Sequence, residues 1–370
     1  MQLEFAKGKL GFGCMRLPMT NGEVDKKEFC KMIDSFLENG FNYFDTAMVY
    51  LNGKSEAALK ECLVERYSRD KFIFTDKLST YLFNNEDEII PLFNRQLEAC
   101  GLEYFDYYLM HAQNSNYFEK YKKCHAYETA FELKKEGKIR HVGISFHDTP
   151  DVLDKILTEY PQIEVVQLQL NYLDFDNPAI QAHKCYEVCE KHNMPVLVME
   201  PVKGGTLANL PPQGAKILDD LHNGSAASYA LRFAANLKNV AMVLSGMSNM
   251  DQMADNIRTM KDVRPLNEQE QNAIQQVCDT FRAMNLIACT ACRYCVDGCP
   301  KKIAIPNLFS CLNAKKLKND FNPSFYYHNV YTVNNGKASD CIKCGKCEKA
   351  CPQHLPIRKL LQNVAEEFDK

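Results

Sequence analysis

The chain has 370 residues, 46% hydrophobic and 25% charged, a composition ordinary for a soluble globular protein. That length exceeds one ordinary core and suits a barrel of about 250 residues plus a smaller appendage. A formal charge of −3 gives no reason to expect nucleic acid or an anionic membrane as partner, and no apolar run approaches the roughly 20 residues of a membrane helix. Residues 1–8 lack the apolar stretch and cleavage site of a secretory signal, so the expected location is the cytoplasm.

From Leu10 to about Thr259 short β-rich runs alternate with amphipathic helical stretches, the pattern of a parallel sheet with crossover helices. Predicted strands are Leu10–Cys14, Asn42–Asp45, Phe72–Thr75, Tyr107–Met110, His141–Ser145, Val165–Leu170, Val196–Met199 and Met242–Leu244. Predicted helices between them include Lys26–Glu38, Ser55–Glu65, Asp87–Ala99, Ala126–Lys135 and Ala227–Ala235. Eight such repeats predict a (β/α)8 TIM barrel, an α/β fold whose active-site groups sit at the C-terminal ends of the strands. The predicted division is a barrel over 1–262, a linking helix within 263–287 (Leu266 to Asn285) and a mostly helical C-terminal domain over 288–370.

The informative polar residues fall at those strand ends. Strand two ends in Phe44-Asp45-Thr46-Ala47 and continues to Tyr50, strand three ends in Thr75-Asp76-Lys77, and strand four ends in Leu109-Met110-His111. Over roughly residues 1–260 the chain resembles the aldo-keto reductases, whose tetrad is an Asp and a Tyr five residues apart after strand two, a Lys after strand three and a His after strand four. The resemblance assigns those roles to Asp45, Tyr50, Lys77 and His111. The chemistry is coherent in itself. A carbonyl that accepts hydride becomes an alkoxide that needs a proton, and a tyrosine with a reference pKa of about 10 donates poorly unless a cation lowers it. Lys77 is expected to be that cation, Asp45 to hold it, and His111 to donate to the carbonyl oxygen.

The same resemblance implies a nicotinamide cofactor, NAD(P)H, near Ser145, Gln167, Gly204, Gly205, Gly246, Gln252 and Asn256. The pattern departs at several of these places. Ser145 is followed by Phe146, a position often given to a stacking Tyr is Met199, and Glu200 comes next; a carboxylate there is expected to repel a pyrophosphate. Gly246 and Gln252 stand where many members carry cations for the 2′-phosphate of NADP. Gly204-Gly205, preceded by Lys203, can cradle phosphate through backbone N–H groups or simply turn the chain. These departures open a second possibility, a flavin (FMN or FAD) in the cleft.

Seventeen cysteines without an export signal point to metal rather than disulfides. Cys289, Cys292, Cys295 and Cys299 precede Pro300, and Cys341, Cys344, Cys347 and Cys351 precede Pro352, each a C-x2-C-x2-C-x3-C-P run. A pair of zinc knuckles shares the C-x2-C unit, but not both terminal Cys-Pro signatures. The runs resemble bacterial two-cluster ferredoxins, which implies two [4Fe–4S] clusters. The crossed pairing carried over from them puts Cys289, Cys292, Cys295 and Cys351 on one cluster and Cys341, Cys344, Cys347 and Cys299 on the other. Gly298 and Gly345 are expected to supply freedom in these loops, and a helix is expected over Ile305 to Lys318. From Cys289 onward there are 13 lysines and arginines against 7 acidic residues, a surplus that two anionic clusters would largely absorb. Cys185 and Cys189, with His183 and His192 nearby, read as core packing.

The leading expectation is an iron–sulfur oxidoreductase acting on a small carbonyl or alcohol, with a ferredoxin or flavoprotein as possible redox partner. The alternatives are a flavin-dependent reductase of an activated double bond, and an electron-transfer protein whose barrel keeps only vestigial catalytic residues.

Overall fold

The computed structural model describes residues 3–177, 180–317 and 322–370. Eight parallel strands close into a barrel: β1 Leu10–Gly13, β2 Tyr43–Asp45, β3 Ile73–Leu78, β4 Phe105–Gln113, β5 Ile139–Phe146, β6 Val165–Gln169, β7 Val196–Met199 and β8 Val240–Ser245. Each strand pairs with its neighbours in sequence, and β8 closes on β1. A two-residue ribbon, Met19–Thr20 with Glu23–Val24, was not expected.

Strand geometry explains where the core and the site lie. Side chains alternate across a strand, so residues two apart share a face. Tyr43, Ile73, Tyr107, Val165 and Leu197 form an apolar cluster inside the barrel, joined by Leu3 and Ala6 of the N-terminal segment. Two or four residues further along the same inward faces come Asp45, Thr75 and Lys77, His111 and Gln167. The apolar plug thus gives way to polar groups toward the C-terminal ends. Close packing inside leaves no room for a side chain at Gly143, where a Cβ would stand 2.5 Å from Val165 Cγ2.

The described chain forms two compact units. The first contains the barrel, with the chain to Asn177, Gln181–Val202 and Ala227–Asn267. The second joins Lys203–Ala226 to Glu268–Lys370. Its helix Glu268–Met284 falls within the stretch Leu266 to Asn285 read as helical, and it packs on helix Pro212–Asp219, where Gly214 lies against Val277. The cysteine region has its own core of Ile303, Leu308, Phe309, Tyr327, Ile357 and Val364. Helix Ile305–Leu317 is present as expected, and the predicted end at Lys318 lies outside the described residues. No described helix is long and apolar enough to cross a membrane.

Candidate active site and cluster cysteines

Lys77 is fully buried. Its ammonium donates to Asp45 Oδ1 at 2.6 Å and to the Thr46 carbonyl at 2.7 Å, while the second carboxylate oxygen of Asp45 accepts from Gln167 Nε2 at 2.9 Å. Taking a carboxylate and an ammonium out of water is costly, and this geometry offsets the cost with three charge-assisted hydrogen bonds. Gln167, expected at the cofactor, is therefore committed to Asp45.

Tyr50 enters the same place from a strained loop. Leu51, Asn52 and Gly53 are all left-handed, with φ of 53°, 56° and 82°. For Leu51 this costs about 1–2 kcal/mol, the kind of strain that collects at functional sites. Ser55 pins the loop by donating to the Cys14 carbonyl at 2.9 Å, and its hydroxyl meets that of Thr46 at 2.7 Å. The Tyr50 ring lies with its centre 4.8 Å from Lys77 Nζ, and the His111 ring stands edge-on at 6.0 Å. All four tetrad residues converge. The electrostatics differ from expectation, because burial first, and then the Asp45 charge, push the Tyr50 phenol well above its usual value. The cation faces the ring while two of its three N–H groups serve Asp45 and Thr46.

His111 has its ordinary pKa pushed well down, by burial first and then by Lys77 and His147, and so is neutral. Its Nδ1 lies 2.6 Å from Ser79 Oγ. Ser79 was missed in the sequence, although its place two residues after Lys77 sets it at the mouth of β3. Behind the site, on the outward face of β3, Asp76 accepts from the Lys77 backbone N–H at 2.7 Å and from Gln96 at 3.1 Å. Ligand atoms of Glu56, Asp76 and Cys100 lie within 4.8 Å of one another, all buried. Burial raises both carboxyls, and the Asp76 charge raises Glu56 further, so one proton resides on Glu56.

The remaining predicted cofactor residues are placed unevenly. Ser145 Oγ accepts from the Ala112 N–H at 2.7 Å, directly after His111, and Asn256 donates to Ser245 Oγ at 2.7 Å. Gln252 accepts from the Ser248 N–H at 2.8 Å, and Gly246 lies beside Arg16. Glu200, left-handed at φ 57°, pairs with Arg16 at 3.3 Å, and its Oε2 is buried without a donor. The cation answers the expected repulsion by Glu200. Gly204 and Gly205, with φ of 62° and 97°, belong to the second compact unit.

The two cysteine loops share one backbone design. The third and fifth residues of each motif are left-handed: Ala291 and Arg293 in the first, Lys343 and Gly345 in the second. Gly298 does not use its freedom, contrary to expectation, and the non-glycine residues Ala291 and Arg293 take the left-handed positions instead. Cys299, Cys341, Cys344 and Cys347 line one recess together with Ile303 and Leu361. The Cys295 thiol is pushed up by burial first and then by Cys292, Cys289 and Cys351, which gathers the other four. Crowded thiols of this kind call for a cationic centre, and the Ala291 N–H already donates to Cys289 Sγ at 3.4 Å. Cys185 and Cys189 are buried in the barrel unit, as core packing requires.

The sequence profile of the aldo/keto reductase family matches residues 9–279. The chain belongs to the aldo/keto reductase family. A 4Fe-4S dicluster domain profile matches residues 288–356, so this aldo/keto reductase carries an iron–sulfur domain at its C-terminal side. It is 24% identical to the uncharacterised oxidoreductase YqkF of Bacillus subtilis, over 72% of this chain and 91% of that one. It is 23% identical to the NADH-specific methylglyoxal reductase of Escherichia coli, over 68% and 89%. Among solved structures, the holo form of aldo-keto reductase AKR11C1 from Bacillus halodurans is 25% identical, with a TM-score of 0.60 over 75% of this chain and 95% of that one. An aldo-keto reductase from Klebsiella pneumoniae in complex with NADPH shares the fold, with a TM-score of 0.61 over 73% and 95% at 17% identity. This aldo/keto reductase is an oxidoreductase enzyme.

Proposed function

We propose that the barrel interconverts a small carbonyl compound and its alcohol, with Tyr50 as the proton donor, and that the eight motif cysteines hold two [4Fe–4S] clusters in the crossed pairing. The observation that carries the barrel reading is the convergence of Tyr50, Lys77, Asp45 and His111, with a buried Lys77–Asp45 pair at 2.6 Å. The relatives' descriptions, one NADH-specific and one holding NADPH, favour a nicotinamide over a flavin. The buried Glu200 Oε2 fits such a cofactor, since it lacks a donor that a hydroxyl or amide could supply.

Bound NAD(P)H supplies the hydride, and bound clusters supply one-electron storage. The rest falls to side chains. With Ser79 donating to Nδ1, neutral His111 carries its proton on Nε2, the tautomer that donates to a carbonyl oxygen and orients it. Tyr50 transfers its hydroxyl proton to the same oxygen as that oxygen gains charge, and Lys77 offsets the charge left on the phenolate. Asp45 and Gln167 keep the ammonium from turning away. Cys289, Cys292, Cys295 and Cys351 would hold one cluster, and Cys341, Cys344, Cys347 and Cys299 the other.

The test is oxidation of NADH or NADPH by anaerobically purified protein against a panel of small aldehydes and ketones, methylglyoxal included. Carbonyl-dependent oxidation supports the reading. Its absence with every carbonyl and both nucleotides removes it.

A further inference from the structure

The two cysteine loops are built alike but covered differently. The second motif residue is Thr290 in one, 2% exposed, and Ile342 in the other, 57% exposed. Of the eight motif cysteines only Cys344 is exposed. A lone exposed isoleucine is ordinary, so the surroundings decide what this one means. Lys343 precedes Cys344, Lys346 and Lys349 follow it, and Lys301 lines the recess of the same four cysteines; all four lysines are exposed. None of them is in an ion pair among the described residues. The nearby acid Glu348 is held by Arg358 at 2.7 Å, and Asp340 caps the Lys337 N–H at 2.8 Å. An exposed apolar residue with unpaired cations beside it in the chain and in the same recess has the composition of a contact steered by charge, and transient redox encounters bury less than about 1,200 Å2 in total.

We infer that the Ile342–Cys344 face docks an acidic one-electron carrier protein. This rests on the proposed assignment of Cys341, Cys344, Cys347 and Cys299 to a cluster. Electron exchange between proteins weakens steeply with distance, and this quartet contains Cys344, the exposed one of the eight motif cysteines. The carrier is oxidised by one electron as the cluster is reduced by one; no bond is made and no proton moves.

The experiment uses full-length protein whose iron, sulfide and absorbance already show both clusters, so failure of the cluster assignment is detected before docking is tested. The probe is an acidic bacterial ferredoxin, with the basic carrier cytochrome c as control, and binding is measured by calorimetry at low and high salt. Binding of the ferredoxin alone, weakening with salt, is expected. Ile342→Glu and Lys349→Glu should each weaken it by about tenfold or more and slow cluster bleaching by the reduced ferredoxin, with iron content unchanged. Lys135→Glu, on the barrel surface, should leave both unchanged. Unaltered binding by Ile342→Glu and Lys349→Glu, or preference for cytochrome c, overturns the inference.

Discussion

Lys77 donates to Asp45 at 2.6 Å while its ammonium stands 4.8 Å from the centre of the Tyr50 ring. The cation is thus anchored to the carboxylate and faces the ring, and burial keeps the phenol protonated well beyond neutral pH. Carbonyl reduction needs the protonated phenol, so activity should be lost only as pH rises through a value above 10. The alkaline limb of kcat/KM, which reports the free enzyme, should therefore not appear between pH 7 and 9. A Tyr50-dependent limb within that interval would show the phenol lowered rather than raised.

Asp45→Asn should destabilise the barrel by about 3–5 kcal/mol, because it strands a fully buried ammonium without its carboxylate. The double variant Asp45→Asn with Lys77→Met should recover much of that loss. Denaturant unfolding measures both, and equal stability of the two variants would show that the pair is not coupled.

Glu56 gives a pH dependence of opposite character to an ordinary salt bridge. Its folded pKa is raised, by burial and by Asp76, so the folded chain keeps a proton that the unfolded chain releases above the usual carboxylate range. Stability from this group is full at low pH and falls as pH rises, with a slope of up to about 1.4 kcal/mol per unit. Glu56→Gln keeps a donor beside Asp76 and removes the slope. It should unfold at a higher temperature than wild type at pH 8, with the difference shrinking toward pH 4. A lower melting temperature at pH 8 would contradict a protonated Glu56.

Cys344→Ser should lower bound iron toward half, whereas Cys185→Ser should leave it unchanged, since Cys185 is packed in the barrel unit with its thiol pushed up to about 12 by burial. Equal iron loss in both variants would mean that cluster loss reflects general unfolding.

Much of this was legible in the sequence because it depends on local spacing. Each of the eight strands and each cysteine run is written within a few residues, and Asp45, Lys77 and His111 are found by reading the ends of three successive strands. Strand lengths were less legible. β3 and β4 run on through Asp76, Lys77 and Leu78 and through His111 to Gln113, where polar site residues interrupt the apolar pattern that marks a strand. The Glu56–Asp76 pair and the Arg16–Glu200 pair, 184 residues apart, arise from tertiary contact and leave no local signal. The loop glycines misled in part: Gly345 is left-handed as expected, but the matching position in the first motif is Arg293.

The most direct measurement is turnover of wild type and Tyr50→Phe on anaerobic preparations in which iron and sulfide are also counted. Both proteins should contain about eight iron and eight sulfide per chain, and the variant's carbonyl-dependent NAD(P)H oxidation should be lower by about 10^2-fold or more. Equal rates in the two proteins at equal iron content would contradict Tyr50 as the proton donor, and with it the proposed chemistry of the barrel.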